Sequence, residues 1–391
     1  MDIGVPAAPV WENSGMSELK VPVDLLPSDP RFGSGPSRIR REVIQALAAP
    51  GSVMGTSHRK PPVKDVVHSI RSGLAELYRL PAGYEVALGN GGATLFWSMA
   101  ACSLVAHRSA NGVYGSFSRK FATTLQKAPF LADPAIFEAP AGRLALPRAA
   151  HAVGTYAWAQ NETSTGVVAP VQRPEGIDES ALVLIDATSA AGGVDADISA
   201  TDAYYFSPQK NFASDGGLWV AVLSPAAIAR SADLTSSARW VPDILNLTLA
   251  VENSRKDQTL NTPAIATLVM LEAQISWLLE HGGMAWAANR THTSSGVLYR
   301  WAQDNPLTSP FVQDPALRSP VVVTIDLDHS IDSAQLCAIA RENGILDIEP
   351  YRGLGRNQIR VGTFSSVDPE DVRALVACLD WILERMPRVG A

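Results

Sequence analysis

The chain has 391 residues, 46% of them hydrophobic and 18% charged, an ordinary globular composition long enough for two domains around a large buried core. A net charge of -7, with no basic block or aromatic-interleaved basic stripe, argues against nucleic acid as a partner. No apolar run reaches the roughly 18 residues of a membrane span, Cys102, Cys337 and Cys378 are too scattered for a disulfide framework or a zinc site, and residues 1–30 lack the basic stretch and apolar core of a secretory signal; the expectation is a cytoplasmic protein with no metal.

The N-terminal arm, 1–31, is Pro-rich and mixed in polarity. Pro36-Ser37-Arg38-Ile39-Arg40-Arg41-Glu42-Val43 reads as a helix start, with proline and a polar cap leading an amphipathic pattern. A second helix is expected over 62–78, with Val66, Val67, Ile70, Leu74 and Leu77 at helical spacing. Tyr84-Glu85-Val86-Ala87-Leu88 is strand-like, Gly89-Asn90-Gly91-Gly92-Ala93-Thr94 turns, and 95–105 continues as a mostly apolar helix. Strands alternate with helices to about residue 224, including 154–159 and 218–222. A long apolar helix, 265–280, ends near Gly282-Gly283. Beyond it come a helix (287–304), a strand (321–326), a helix (333–343), a strand (359–362) and a final helix (369–386). The pattern implies an α/β large domain, 32–285, whose mainly parallel sheet is covered by helices on both faces, and a smaller α+β domain, 286–391.

Two apolar runs end in charge. Ala203-Tyr204-Tyr205-Phe206-Ser207-Pro208-Gln209 closes on Lys210, and Ala181-Leu182-Val183-Leu184-Ile185 ends in Asp186. In a sheet of side-by-side strands both ends point into one crevice. An amine and a carboxylate so placed are what pyridoxal phosphate (PLP) requires: a lysine to hold its aldehyde as a Schiff base and an acid to pair with its ring nitrogen. A solvated loop lysine and a helix-capping aspartate are the bland alternative. The Gly91-Gly92-Ala93-Thr94 turn leads into a helix, where free N–H groups and the dipole favour an anion. No G-x-G-x-x-G or Walker lysine accompanies it, against a dinucleotide or nucleoside triphosphate. Asn161-Glu162-Thr163-Ser164-Thr165-Gly166 follows a strand, so Thr163 is placed to reach a ligand. Arg59 in a Gly/Ser-rich loop, and Arg352, Arg356 and Arg360 further on, have the fork geometry that suits carboxylate and phosphate. Arg360, between Ile359 and Val361 in an apolar strand, needs a partner; Arg356 reads as a loop charge.

Five motifs in order resemble the phosphoserine aminotransferases, in the class V branch of fold-type I PLP enzymes: Ser57-His58-Arg59, Gly91-Gly92-Ala93-Thr94, Asn161-Glu162-Thr163, Ser207-Pro208-Gln209-Lys210-Asn211 and Asn261-Thr262-Pro263. With Asp186 and the Arg352/Arg360 region the resemblance spans about 32–386. It implies the PLP-dependent transferase fold type I, with Lys210 and Asp186 as catalytic residues. Phe117 would stack on the cofactor ring, and Thr163 would bond near its hydroxyl. Ala93, Thr94 and Gln209 would hold its phosphate, joined by Asn261 and Thr262 of a neighbouring subunit in a homodimer with shared active sites. Arg360 would clamp the α-carboxylate, while His58, Arg59 and Arg352 would read the substrate phosphate or the distal carboxylate of glutamate. The implied reaction interconverts 3-phosphohydroxypyruvate plus L-glutamate with O-phospho-L-serine plus 2-oxoglutarate, as in L-serine biosynthesis. Phosphohydroxythreonine, for pyridoxine synthesis, is an expected further substrate. The chain departs from the pattern in having Thr94 where many members have Arg, Phe117 where many have Trp, and Tyr351 where many have His. An alanine–glyoxylate type transaminase and a non-catalytic PLP-fold binding protein are the alternatives.

Overall fold

The computed structural model describes residues 19–48, 51 and 53–390; the first eighteen residues of the N-terminal arm lie outside them. In chain order the large unit contains α1 (Arg41–Ala48), α2 (Pro61–Leu77), β1 (Glu85–Asn90), α3 (Ala93–Ser103), β2 (Ser109–Val113), α4 (Ser116–Gln126), β3 (Ala135–Glu138) and β4 (Thr155–Ala159). It continues with the short hairpin β5 (Asn161–Glu162) and β6 (Val167–Val168), then β7 (Leu182–Asp186), β8 (Ala203–Phe206), β9 (Leu218–Leu223), α5 (Pro225–Thr235), α6 (Leu247–Ser254) and α7 (Ile265–Glu280). The remainder is α8 (Gly283–Asp304), β10 (Thr308–Pro310), β11 (Val322–Leu327), α9 (Ser333–Glu342), β12 (Gln358–Gly362) and α10 (Pro369–Leu383).

Seven strands form the central sheet in the order β1-β9-β8-β7-β4-β2-β3. All pairings are parallel except those of β9, which runs antiparallel to both β1 and β8. The carboxyl ends of β1, β4, β7 and β8 therefore open on the same edge, where an open α/β sheet forms its ligand crevice. Side chains alternate between faces, as strand geometry requires. Val183, Ile185, Tyr204, Phe206, Val220 and Val222 join the core built with α2 and α7. Leu182, Leu184, Ala203, Tyr205, Trp219 and Ala221 join the core beneath α3, α4 and α6. Both faces are thus apolar, which explains the unbroken hydrophobic runs in the sequence. Each large aliphatic side chain buried this way contributes roughly 1.5–3 kcal/mol.

In α2 the buried positions Val63, Val67, Ile70, Leu74 and Leu77 recur every three or four residues, one stripe against α7. Gly73 allows the two helices to close up, because a Cβ there would lie 2.7 Å from Ile275 Cγ2. The helix expected from Pro36 begins only at Arg41. Tertiary bonds take the preceding residues: Ser37 N–H donates to Gln209 O (2.7 Å), and Arg38 reaches Ser366 O (2.7 Å) and Asp371 (2.8 Å). β8 likewise stops at Phe206, four residues short of Lys210, and Pro208, which has no N–H for a ladder, lies in the turn that follows.

The second unit packs the antiparallel sheet β10-β11-β12 against α8, α9 and α10. Val21 and Phe32, from the N-terminal side, lie in its core. Backbone bonds tie the same stretch to it, Phe32 N–H to Leu346 O (3.1 Å) and Gly362 N–H to Phe32 O (2.7 Å). Helix α8 changes partners along its length. Met284 and Ala287 lie in the large unit's core, and Leu298, Tyr299, Trp301 and Ala302 in the second. Cys102, Cys337 and Cys378 sit in α3, α9 and α10, buried and unpaired. Among the described residues no helix is long and apolar enough to cross a membrane, and no group of three or more His, Cys, Asp or Glu is arranged to hold a metal ion.

Candidate active site

At the carboxyl edge of the sheet lies a cavity of about 200 Å³. Ala93, Thr94, Phe117, Thr163, Asp186, Gln209 and Lys210 line it together, as do Gly92, Trp97, Asn161, Thr188 and Ser189. Strand ends, the turns that follow them and helix starts supply these. Asp186 is the last residue of β7, and Ala93 and Thr94 open α3 behind Gly92. Lys210 lies in the turn after β8.

Asp186 is 6% exposed, and each of its oxygens accepts one bond from the protein. Trp97 Nε1–H donates to Oδ2 (2.8 Å) and Thr188 N–H to Oδ1 (3.0 Å). Burial pushes its carboxyl group up in pKa; Thr188 and then Trp97 pull it back, while Glu162 adds to the rise. Lys210 is shifted the other way, down to about 7, first by burial and then by the guanidinium of Arg360, with Asp186 opposing. Its Nζ donates to Ser34 O. Gly35 makes that approach feasible: its φ of +137° is in the region glycine alone favours, and a Cβ there would sit 1.8 Å from Nζ.

A hydroxyl relay fixes one wall. Thr163 Oγ1 donates to Ser189 Oγ (2.9 Å), Asn161 Nδ2 donates to the same oxygen (2.9 Å), and Ser189 Oγ donates to Asn161 O (3.0 Å). Glu162, fully buried, accepts from Ser118 N (2.9 Å), Ser118 Oγ (2.8 Å) and Ser164 Oγ (2.6 Å), and so anchors the start of α4 that carries Phe117. Several buried polar atoms around the cavity have no hydrogen-bond partner among the described residues: Asn161 Oδ1, Thr188 Oγ1, Gln209 Oε1 and Arg360 Nε. Buried polar groups are rarely left so; Asn161, Thr188 and Gln209 belong to the lining of the cavity, which a helix N-terminus also faces, and Arg360 to the adjoining cleft.

Arg360 stands on β12 beside this cavity. Its Nη1 donates to Thr163 O (3.1 Å), and its guanidinium carbon is 5.4 Å from the centre of the Tyr351 ring. Tyr351 in turn lies 6.0 Å, ring to ring, from Phe117. Tyr351, Arg352, Gly353 and Arg360 line a wider, open cleft adjoining the loop 349–353. Arg356, read as a loop charge, is exposed and paired with Asp326 at 2.7 Å.

Besides Arg352 and Arg360, which line the adjoining cleft, four of the expected residues line neither space within this chain. His58 is buried with Nε2 lacking a partner among the described residues, and burial and then Arg59 depress its proton affinity. Arg59 is exposed and donates to Gln258 Oε1 (3.1 Å) and Leu260 O (3.4 Å), next to Asn261 and Thr262. Asn90 Nδ2 donates to Thr262 O (2.7 Å). These residues form a second cluster, of their own.

Sequence reasoning passed over Trp97, Thr188, Ser189 and Ser34. Trp97 looks like core in an apolar helix, and Ser34 acts through a carbonyl that no side chain announces. Thr188 and Ser189 follow Asp186 directly and carried the available signal, since polar residues after a strand's carboxyl end face the crevice.

The family model described as aminotransferase class-V matches residues 149–347. A Rhodococcus opacus protein named phosphoserine aminotransferase is 54% identical over 367 residues, covering 94% of this chain and 98% of that one. Among solved structures, a phosphoserine aminotransferase from Cytophaga hutchinsonii superposes with a TM-score of 0.82 at 24% identity, over 92% of this chain and 99% of the other. An alanine–glyoxylate aminotransferase from a Nostoc species does so with a TM-score of 0.76 at 20% identity, over 96% and 100%.

Proposed function

From the premise that this chain belongs to the class V aminotransferase family, with the fold-type I architecture of PLP enzymes, we propose that it is a transaminase interconverting 3-phosphohydroxypyruvate plus L-glutamate with O-phospho-L-serine plus 2-oxoglutarate. The observation that carries the reading is the cavity in which Asp186 and Lys210 share walls with the start of α3. Pyridoxal phosphate fits the donor set: an acid for a ring nitrogen, an amine for an aldehyde, helix N–H groups for a phosphate, and unpartnered Asn161, Thr188 and Gln209 oxygens for the remaining polar atoms. When bound, the cofactor supplies an electron-withdrawing ring that stabilises negative charge at the substrate Cα.

The protein's part follows from its own groups. Lys210, whose amine burial and then Arg360 bring down to about 7 so that a sizeable fraction is neutral near neutral pH, is the base that takes the proton from Cα and returns it. Asp186 stays charged to hold the ring nitrogen protonated. Phe117 would stack on the cofactor ring, and Thr163 would bond near its hydroxyl. Ala93, Thr94 and Gln209 would hold its phosphate. Arg360 pairs with the α-carboxylate, and Arg352 faces the distal end from the adjoining cleft. The second cluster of His58, Arg59, Asn261 and Thr262 supports a homodimer in which each copy completes the other's site. A role in L-serine biosynthesis follows, in the cytoplasm, with phosphohydroxythreonine as a further substrate.

Adding L-phosphoserine to the protein loaded with PLP should bleach the absorbance of the lysine-bound cofactor. Bleaching by L-alanine alone favours the alanine–glyoxylate reading. Arg59→Ala or Arg352→Ala should lower kcat/KM for L-phosphoserine about tenfold more than for L-serine, the effect of one exposed charge-assisted bond. Equal losses for the two amino acids would show that neither arginine reads phosphate.

A further inference from the structure

Trp97 lies 4% exposed in α3, with its indole wedged against Phe121 (centroids 6.0 Å apart) and its Nε1–H on Asp186 Oδ2 at 2.8 Å. Thr94 and Trp97 are three residues apart on α3, so they share a face, and both line the cavity. One helix therefore presents its N–H groups at the phosphate end and an indole donor at the acid end. Thr188 N–H occupies the other oxygen of Asp186. The carboxylate is thus held at two fixed points, on a residue that lines the cavity.

Resting on the PLP reading above, we infer that Trp97 is a positioning residue for the cofactor's ring nitrogen, holding Asp186 in its charged form and aimed into the cavity. A carboxylate buried without donors gives up its charge, because desolvation penalises the ionised form alone. A neutral acid cannot stabilise a protonated ring nitrogen by charge. Removing the indole N–H shifts Asp186 toward its neutral form and weakens whatever depends on its charge. The packing of the aromatic ring is a separate matter, and phenylalanine largely preserves it.

The test uses the full-length protein freed of cofactor, titrated calorimetrically with PLP and with the analogue in which C–H replaces the ring nitrogen. Trp97→Phe should weaken PLP binding about 10- to 100-fold, the range for one hydrogen bond to a charged group. The carbon analogue, which gains nothing from a charged Asp186, should bind the variant as well as or better than it binds the wild type. In an Asp186→Asn background the same Trp97 change should have no effect on PLP. Equal weakening of both ligands overturns the inference and makes Trp97 a shape-filling residue. Trp97→Leu gives the same comparison if the Phe variant does not fold by circular dichroism. A wild-type protein that binds neither ligand overturns the cofactor reading itself, a result distinct from the other outcomes.

Discussion

Lys210→Ala should lower turnover of L-phosphoserine by on the order of 10⁴-fold, the upper range for loss of a positioned acid–base group, while leaving the fold intact. Ser34 O loses its donor and the cavity gains room, but no core layer is opened, because the side chain ends in the cavity. Stability in the cofactor-free protein should change with a definite sign. The wild-type amine has its pKa depressed from 10.5 to about 7. Between those values the unfolded chain binds a proton that the folded chain does not, so stability rises with pH across that window. Below about pH 7 both states are protonated, and the folded state carries the full cost of a buried ammonium. The alanine variant lacks this contribution. Its unfolding midpoint in urea should therefore be higher than the wild type's near pH 6, and the gap should close as pH rises toward 10. A gap independent of pH would mean that the lysine is not the group responsible.

Arg360→Gln should reduce kcat/KM for both the amino acid and the oxo acid by about 10²–10³-fold, as expected when a partly buried charge pair loses one member. Both substrates carry the carboxylate that Arg360 is proposed to clamp, so a loss confined to one of them would contradict the assignment. A second consequence is independent of substrate contact. Arg360 is one of the groups that hold the Lys210 amine down. Without that charge the amine becomes more basic, and the acid limb of the pH–rate profile moves to higher pH. Arg360→Lys keeps a cation in place, so it should restore the position of the limb more than it restores kcat/KM, because an ammonium cannot form the bidentate pair. Steady-state kinetics across pH for the three proteins separates the two effects.

The elements most readable in the sequence are those fixed by periodicity. Helix α7 runs Ile265–Glu280, as its apolar pattern implies, and α2 begins and ends within one residue of expectation. Asp186 and Lys210 could be singled out because each is a charge following a run with none. Where distant segments decide, tertiary bonding overrides local pattern. Residues 36–40 have helix-like composition, yet Gln209, Ser366 and Asp371 hold them in an irregular path. Trp97 is indistinguishable from a core tryptophan until β7 is placed beside α3. Arg360 was conspicuous as a charge in an apolar strand, but its partner, the Thr163 carbonyl, belongs to a segment 197 residues away. His58, Asn261 and Thr262 carried meaning only through resemblance, and Arg59 only as a guanidinium in a Gly/Ser-rich loop, because within one chain none of the four lines the cavity.

The path of residues 32–38 has a mechanical consequence. Phe32 is bonded on both sides to the second unit, through Leu346 and Gly362. Two residues later Ser34 O receives the Lys210 amine, and Ser37 N–H is fixed to Gln209 O in the large unit. This short span works as a tether with one end on each unit and the lysine's acceptor between them. A shift of the second sheet and its helices against the first would be felt at the carbonyl that holds the amine, through these few residues.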